Sequence, residues 1–528
     1  MKNRVGPPLV PVLLVAASVA AGQRPALTPR DSAFHALNRL AYGPRPGEVE
    51  RVAREGVMSW IDQQLTPEHI ADGARAARER EFPILDYERG DLAKLYLEAQ
   101  RERRERREAG DTSSDTVGAQ HAAPLQRDPT PTQRRARRLA GQFAELAVAR
   151  AIISERQLYE VMVDFWTNHF NVFLGKGADR FLTPDYVEHV IRPHALDRFE
   201  DLLIATAESP AMLVYLDNWE SVAPGSSPAF RLPRSALGLN ENYARELLEL
   251  HTLGVDGGYT QQDVINVARI FTGWSIERPQ QGGGFEFHEW AHDEGEKQVL
   301  GVGFQAGQGL DEGIRLLKLL ANQPATMHHV SRELCERFVS DDPPDGCVDD
   351  AVGAWKRSNG DLREVLRAIF TSPDFWAPPA VGGKVKTPLE FVVSAARAVG
   401  ADPDSNPRLA QLVARLGEPL YLHVAPDGYP EKQDAWVNSG ALLDRMNAAV
   451  ALAAGKLPGV SVSLDAIAPP TADAELLIAA VNERVLGGTM SGNTAQVICK
   501  QLADMSDPGQ ARALAVGLAL GGPEFQRQ

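Results

Sequence analysis

At 528 residues, with 44% hydrophobic and 24% charged side chains, the chain has the composition of an ordinary globular protein and room for roughly two to four packing units. Wholesale disorder, a collagen-like repeat and a disulfide-dense miniprotein are excluded. A formal charge of -15 argues against a nucleic-acid partner, because phosphate binding needs a basic surface.

Residues 1–21 read as an export signal. Lys2 and Arg4 give a basic start, the run from Leu9 to Ala21 is apolar, and Val19-Ala20-Ala21 supplies the small residues a signal peptidase reads. That run is shorter than the ~20 residues a spanning helix needs, and no later segment qualifies. The expectation is a periplasmic or secreted mature chain with no transmembrane helix. Losing Lys2 and Arg4 would take its charge from -15 to -17. Of three cysteines, Cys335 and Cys347 flank the turn Asp342-Pro343-Pro344-Asp345-Gly346 and are the pair placed to form a disulfide in an oxidising compartment. No CxxC pair is present for a structural zinc site.

Helical periodicity dominates the chain from residue 31 onward. Apolar residues at three- and four-residue steps over 31–65, broken by Gly43-Pro44-Arg45-Pro46-Gly47, predict two helices around a turn. The mixed-sign run Arg101–Glu108 suits a solvated helix better than a basic patch. Residues 109–133 carry almost no large apolar side chain and predict a mobile loop. A helix is expected from near Arg137 and another from near Ser154, where Ser154-Glu155-Arg156-Gln157 has the form of a capping box. On the latter, Leu158, Met162, Phe165, His169 and Phe173 form one stripe, which puts His169 on an apolar face.

The segment 238–274 is the most informative. Residues 240–253 predict a helix ended by Gly254, with Asn242, Glu246 and Glu249 within about 60° of one another and His251 nearly opposite. Thr260-Gln261-Gln262-Asp263 starts the next helix, which Gly273 ends. After Gly282-Gly283-Gly284, the alternation in Phe285–His288 and the run Gln298–Gly301 predict a β-hairpin with His292 and Asp293 near its tip. Helices are expected again at 311–321, 325–339, 361–371, 388–399, 407–416, 439–452, 472–486 and 508–520.

The predicted fold is therefore mainly α, a multi-helix globular array with a small β-hairpin insertion. Its expected divisions are a signal peptide at 1–21, an N-terminal helical segment at 28–108 and the loop at 109–133. A central helical core with the hairpin comes next at 134–310, and a C-terminal helical region at 311–528.

Six stretches occur in order: Ala36–Pro44, Trp166-Thr167-Asn168-His169-Phe170, Gly238–Gly254, His292-Asp293, Lys384-Val385-Lys386-Thr387-Pro388-Leu389-Glu390-Phe391, and Pro426-Asp427-Gly428-Tyr429-Pro430. Together they resemble the bacterial family catalogued as domain of unknown function 1800, over nearly the whole mature chain. The Arg-rich helix and polar loop between Glu98 and Gln133 depart from it as a local insertion. The resemblance implies an exported, mostly helical protein and no established activity, cofactor or catalytic residue.

Side chains leave two readings of function. In the first, Asn242, Arg245, Glu246 and Glu249 form a functional face and a buried polar network fixes the helices of a secreted or periplasmic binding or assembly protein, with an exported protein as its partner. In the second, His169, Glu246, His292 and Asp293 hold a divalent metal in an extracytoplasmic hydrolase, where the ion would acidify a bound water and a remaining Glu would act as base. No nucleophile elbow, phosphate loop or dinucleotide fingerprint is present.

Overall fold

The computed structural model describes residues 27–111, 128–225, 238–278 and 282–528. The signal segment 1–21 and most of the loop expected at 109–133 lie outside the described residues. The described ends of that loop are helical. Arg89–Asp111 runs into it from one side, and Pro131–Ile153 starts inside it from the other, with Thr130 and Gln133 forming a capping box that the polar composition hid.

Mainly helical the chain is, and one hydrophobic core runs from Ala33 to Phe525. Pro29–Arg39 opens on a Thr28/Asp31 capping box, and Glu48–Glu55 and Val57–Gln64 come after it, separated by Gly56. The long helices Arg89–Asp111 and Pro131–Ile153 lead to Gln157–His169, whose Leu158, Val161, Met162, Phe165 and Trp166 are all buried. Ser154 does not cap this last helix. Its hydroxyl accepts from Arg156 N–H and donates to Asp72, while the Gln157 amide donates back to the carbonyls of Ala151 and Ser154, so the four residues form a tight corner.

Two short hairpins interrupt the helices. Trp274–Ile276 pairs antiparallel with Phe285–Phe287, and Lys297–Val299 with Val302–Phe304. The expected hairpin between 285–288 and 298–301 is thus corrected. Each of those strands takes a nearer partner, since closing a short loop costs less entropy, and His292, buried, and Asp293, partly buried, sit in the connection between the hairpins.

The C-terminal helices fall close to their predicted positions, from Leu310–Ala321, Pro324–Phe338 and Leu362–Thr371 to Pro388–Ala398 and Pro508–Gly521. Two more, Asp345–Ser358 and Gly492–Leu502, begin in turn-like Asp-Gly-Cys and Gly-Asn-Thr sequences that masked them. A disulfide joins Cys335 to Cys347, with Cα atoms 6.3 Å apart and both residues buried. It staples the end of Pro324–Phe338 to the start of Asp345–Ser358, a constraint typically worth roughly 3 kcal/mol. Among the described residues no helix is long and apolar enough to cross a membrane.

Candidate functional site

The helix predicted at 240–253 spans Asn242–Glu249. Its C-terminal end is held by two imidazoles. His329 Nε2 lies 3.2 Å from the Leu250 carbonyl, and His169 Nε2 lies 3.3 Å from that of His251. Both rings also face Glu333, with His169 Nδ1 at 2.8 Å and His329 Nε2 at 3.5 Å. Charge at a helix C-terminus is favourable when positive, and a carboxylate between two rings completes the arrangement. Gly254 turns away at φ +82°, and a Cβ there would press on the His329 ring. His251 itself is buried, and that burial, followed by the neighbouring His169 and His329, holds its pKa down to about 3.

Helix Gln157–His169 also organises the stretch 420–430. The Asn168 side chain donates to the Tyr429 carbonyl at 2.7 Å and accepts from its N–H at 2.6 Å. Asn171 donates to the carbonyls of His423 and Ala425, and the Tyr215 hydroxyl to that of Val424. Gly428 adopts φ +69° with its backbone against Asn168, where no Cβ would fit. A polar loop without secondary structure is thereby fixed at several backbone groups.

Between these elements lie two cavities that share Asn168, Tyr429, Pro430 and Glu431. The outer one, about 200 Å³, is lined by the rings of Phe165, His169 and Tyr429 and by Glu333, Glu336 and Asp427. The inner one, about 70 Å³, reaches Tyr42, Asp164, Arg337 and Glu418. On the scale of roughly 10–15 Å³ per water, the inner space suits a few waters or one small polar group.

Charge in the inner cavity is unevenly matched. Arg192 forms two 2.8 Å hydrogen bonds to Glu160, Arg150 binds Glu188, and Arg337 binds Glu390 and lies 3.3 Å from Glu431. Glu390 is placed by local sequence: Thr387-Pro388-Leu389-Glu390 is a capping box with Pro at the first helical position, in which Oε2 accepts the Thr387 N–H and Oε1 is left to meet Arg337 and the Gln528 amide. Two acids remain. Glu418 accepts the Leu389 N–H at 2.7 Å and a hydrogen bond from the Thr387 side chain, and burial, reinforced by Asp164, pushes its pKa up to about 8. Asp164 has no hydrogen-bond or ion-pair partner among the described residues. Burial raises its pKa to about 7 against the pull of Arg337, with Glu431 and Glu390 adding to the rise.

The residues singled out from sequence are distributed differently. Arg245 pairs with Glu241 at 3.3 Å and with Gln261, Glu249 accepts from the Tyr259 hydroxyl, and Asn242 is exposed. Glu246 is half-buried, and its carboxyl is raised by that burial and then by Glu249. The four residues offered as metal ligands are not brought together. His169 belongs with Glu333. His292 lies 2.9 Å from the Thr272 carbonyl and 3.3 Å from Glu312, whose charge Lys297 meets at 2.7 Å. Asp293 holds Arg269 through two bonds of 2.9 and 3.0 Å. Among the described residues no group of three or more His, Cys, Asp or Glu side chains is placed to hold a metal ion.

Sequence reasoning passed over Asp164, Arg337, Glu390, Glu418, Glu431 and Glu333. Two carried a signal: Asp164 interrupts the apolar run Val161–Trp166, and Thr387–Glu390 is a capping box. For the others no local pattern exists, because their partners come from distant segments. Four of the six motif stretches nevertheless meet at the cavities, through Tyr42, Asn168, Thr387 with Leu389, and Tyr429 with Pro430.

Fold and site together define a mainly helical protein with a pair of adjoining, acid-rich cavities. The chain belongs to the family described as "Protein of unknown function (DUF1800)", whose sequence model matches residues 35–527. No curated protein matches the chain, and no solved structure does.

Proposed function

We propose that this chain is an exported binding protein whose small polar ligand occupies the paired cavities around Asp164 and Asn168. One observation carries the reading: a partly buried carboxyl with no hydrogen-bond or ion-pair partner among the described residues lines a cavity whose every arginine is already committed. Burying such a group costs free energy unless something else satisfies it, and a ligand is the natural partner. The networks of Glu333 with its two imidazoles and of Asn168 with Tyr429 support binding by holding the walls fixed. Export is supported by the basic and apolar start of the sequence and by a buried disulfide, which suits an oxidising compartment. Metal-dependent hydrolysis has less support, given the dispersal of His169, Glu246, His292 and Asp293.

Thermal melts of wild type and Asp164→Asn against a panel of cationic, neutral and anionic small molecules test the reading. At least one compound is expected to raise the wild-type Tm with a concentration dependence that the variant loses. Equal responses in both proteins, or none in either, would overturn it.

A further inference from the structure

The class of ligand is set by charge and length, and this step rests on the binding reading above. We infer that the double cavity takes a linear aliphatic diamine or polyamine, with one ammonium at Asp164 and Glu418 and the next among the carboxylates of the outer cavity.

Inside, three arginines are met by Glu160, Glu188, Glu390 and Glu431, which leaves Asp164 and Glu418 without an ion pair of their own, the charges of Arg337 and Arg445 acting on them without contact. An anionic ligand would bring a further negative charge against two unmatched carboxyls. An ammonium brings up to three donors and the missing positive charge. Outside, Glu336 and Asp427 look into the outer space beside Glu333 and Glu431. Lys432 lies 3.8 Å from Glu336 and His423 3.1 Å from Asp427, and neither lines the cavity. Phe165 and Tyr429 also line this space and add apolar surface against which an alkyl chain packs.

Length discriminates further. Asp164 faces the inner space, and Asn168, one helical turn on, is shared by both; a turn of four residues rises about 6 Å. An extended chain gains roughly 1.2 Å per bond, so four or five methylenes between two nitrogens cover that span. A bare metal ion would need three converging ligands, which the described residues do not offer. A polyol would hydrogen-bond to these acids without favouring their ionised form, which an ammonium does.

Calorimetric titration of the full-length exported chain with putrescine and spermidine, at about 0.15 M ionic strength, tests the assignment. Saturable binding at one molecule per chain is expected, weakened at least tenfold by Asp164→Asn and unchanged by Glu50→Gln on the outer surface. Glu431→Gln, at the junction of the two cavities, gives a second variant and should also weaken binding. Diamine binding that survives both cavity substitutions would reflect attraction to an acidic surface and overturn the inference. Sorbitol or succinate binding in an Asp164-dependent way, with no diamine binding, would overturn the class of ligand while leaving the binding site standing. No response to any of these probes would count against both.

Discussion

Helix Asn242–Glu249 and the cleft beside helix Gln157–His169 both concentrate polar side chains, yet they spend them differently. On the first, Asn242, Arg245, Glu246 and Glu249 follow helical spacing and meet solvent or near neighbours: Arg245 reaches back four residues to Glu241, and Glu249 takes a tyrosine hydroxyl. In the second, Asp164, Arg337, Glu390, Glu418 and Glu431 come from separate elements and gather together, with Arg337, Glu390 and Glu418 buried and Asp164 and Glu431 partly so. Regular spacing of polar groups is how a surface helix stays solvated, whereas a buried charge needs a partner that the chain delivers from far away.

The sharpest way to break this contrast is to remove one arginine from each region. Arg337→Met takes the cation from buried Glu390 and from partly buried Glu431 and should cost on the order of 3–5 kcal/mol in chemical denaturation. Arg245→Ala, on the partly exposed helix, should fall within about 0.5 kcal/mol of wild type. Similar losses from both would mean that the two regions do not differ in kind.

A second effect concerns pH. Glu418, held up to about 8 by burial, binds its proton more tightly in the folded chain than in the unfolded one. The stability it contributes is therefore complete below the ordinary glutamate range near 4 and declines as pH rises through about 8. Between pH 5 and 8 that loss should amount to about 2–4 kcal/mol, and Glu418→Gln should flatten the curve of stability against pH over this range. His251 acts in the opposite direction. Its folded pKa near 3 means that stability is present above the unfolded value near 6.5 and is lost as pH falls toward 3. Denaturation midpoints measured from pH 4 to 9 check both limbs, and an unaltered slope in Glu418→Gln would show that this carboxyl is solvated.

Much of the fold was legible because its physics is local. Apolar steps of three and four place helices such as Leu310–Ala321 and Leu362–Thr371 within a residue or two of where they form. Strand pairing was less legible, since alternation at Phe285–Phe287 says that a strand exists but not that Trp274–Ile276 is its partner. The site was least legible. His169 was correctly placed on an apolar stripe, yet its partner Glu333 lies more than 160 positions away on a helix with no distinguishing pattern. Motifs recognised together share a location in the fold, because Asn168, Thr387 and Tyr429 converge on a cavity that no one of them announces.

Two glycines of similar backbone conformation sharpen the contrast at smaller scale. Gly428 in the clamped loop and Gly258 beyond the surface helix have φ +69° and +80°. A Cβ at Gly428 meets Asn168, while at Gly258 it meets open space. Gly428→Ala should cost about 2–3 kcal/mol, the sum of strain and a displaced clamp, and Gly258→Ala about 1 kcal/mol from strain alone. Thermal melts distinguish them. The Gly428 variant should in addition become sensitive to proteolysis near residues 420–430, as the backbone bonds to Asn168 and Asn171 loosen.

Glu246→Gln gives the smallest expected effect and the most direct test of which region matters. The substitution keeps size and shape and removes a charge that burial and Glu249 already disfavour, against a modest pull from Arg245. With the side chain half-buried and without a hydrogen-bond partner among the described residues, gains and losses nearly cancel, so stability should move by less than about 0.5 kcal/mol. Ligand binding should hardly change either, since Glu246 lines neither cavity. Asp427 connects the two regions: it lines the outer cavity and its charge is felt at Glu246. If Glu246→Gln instead abolished binding while the protein melted normally, the outer cavity would have to extend onto the helix face, and the surface and the cleft would be one site.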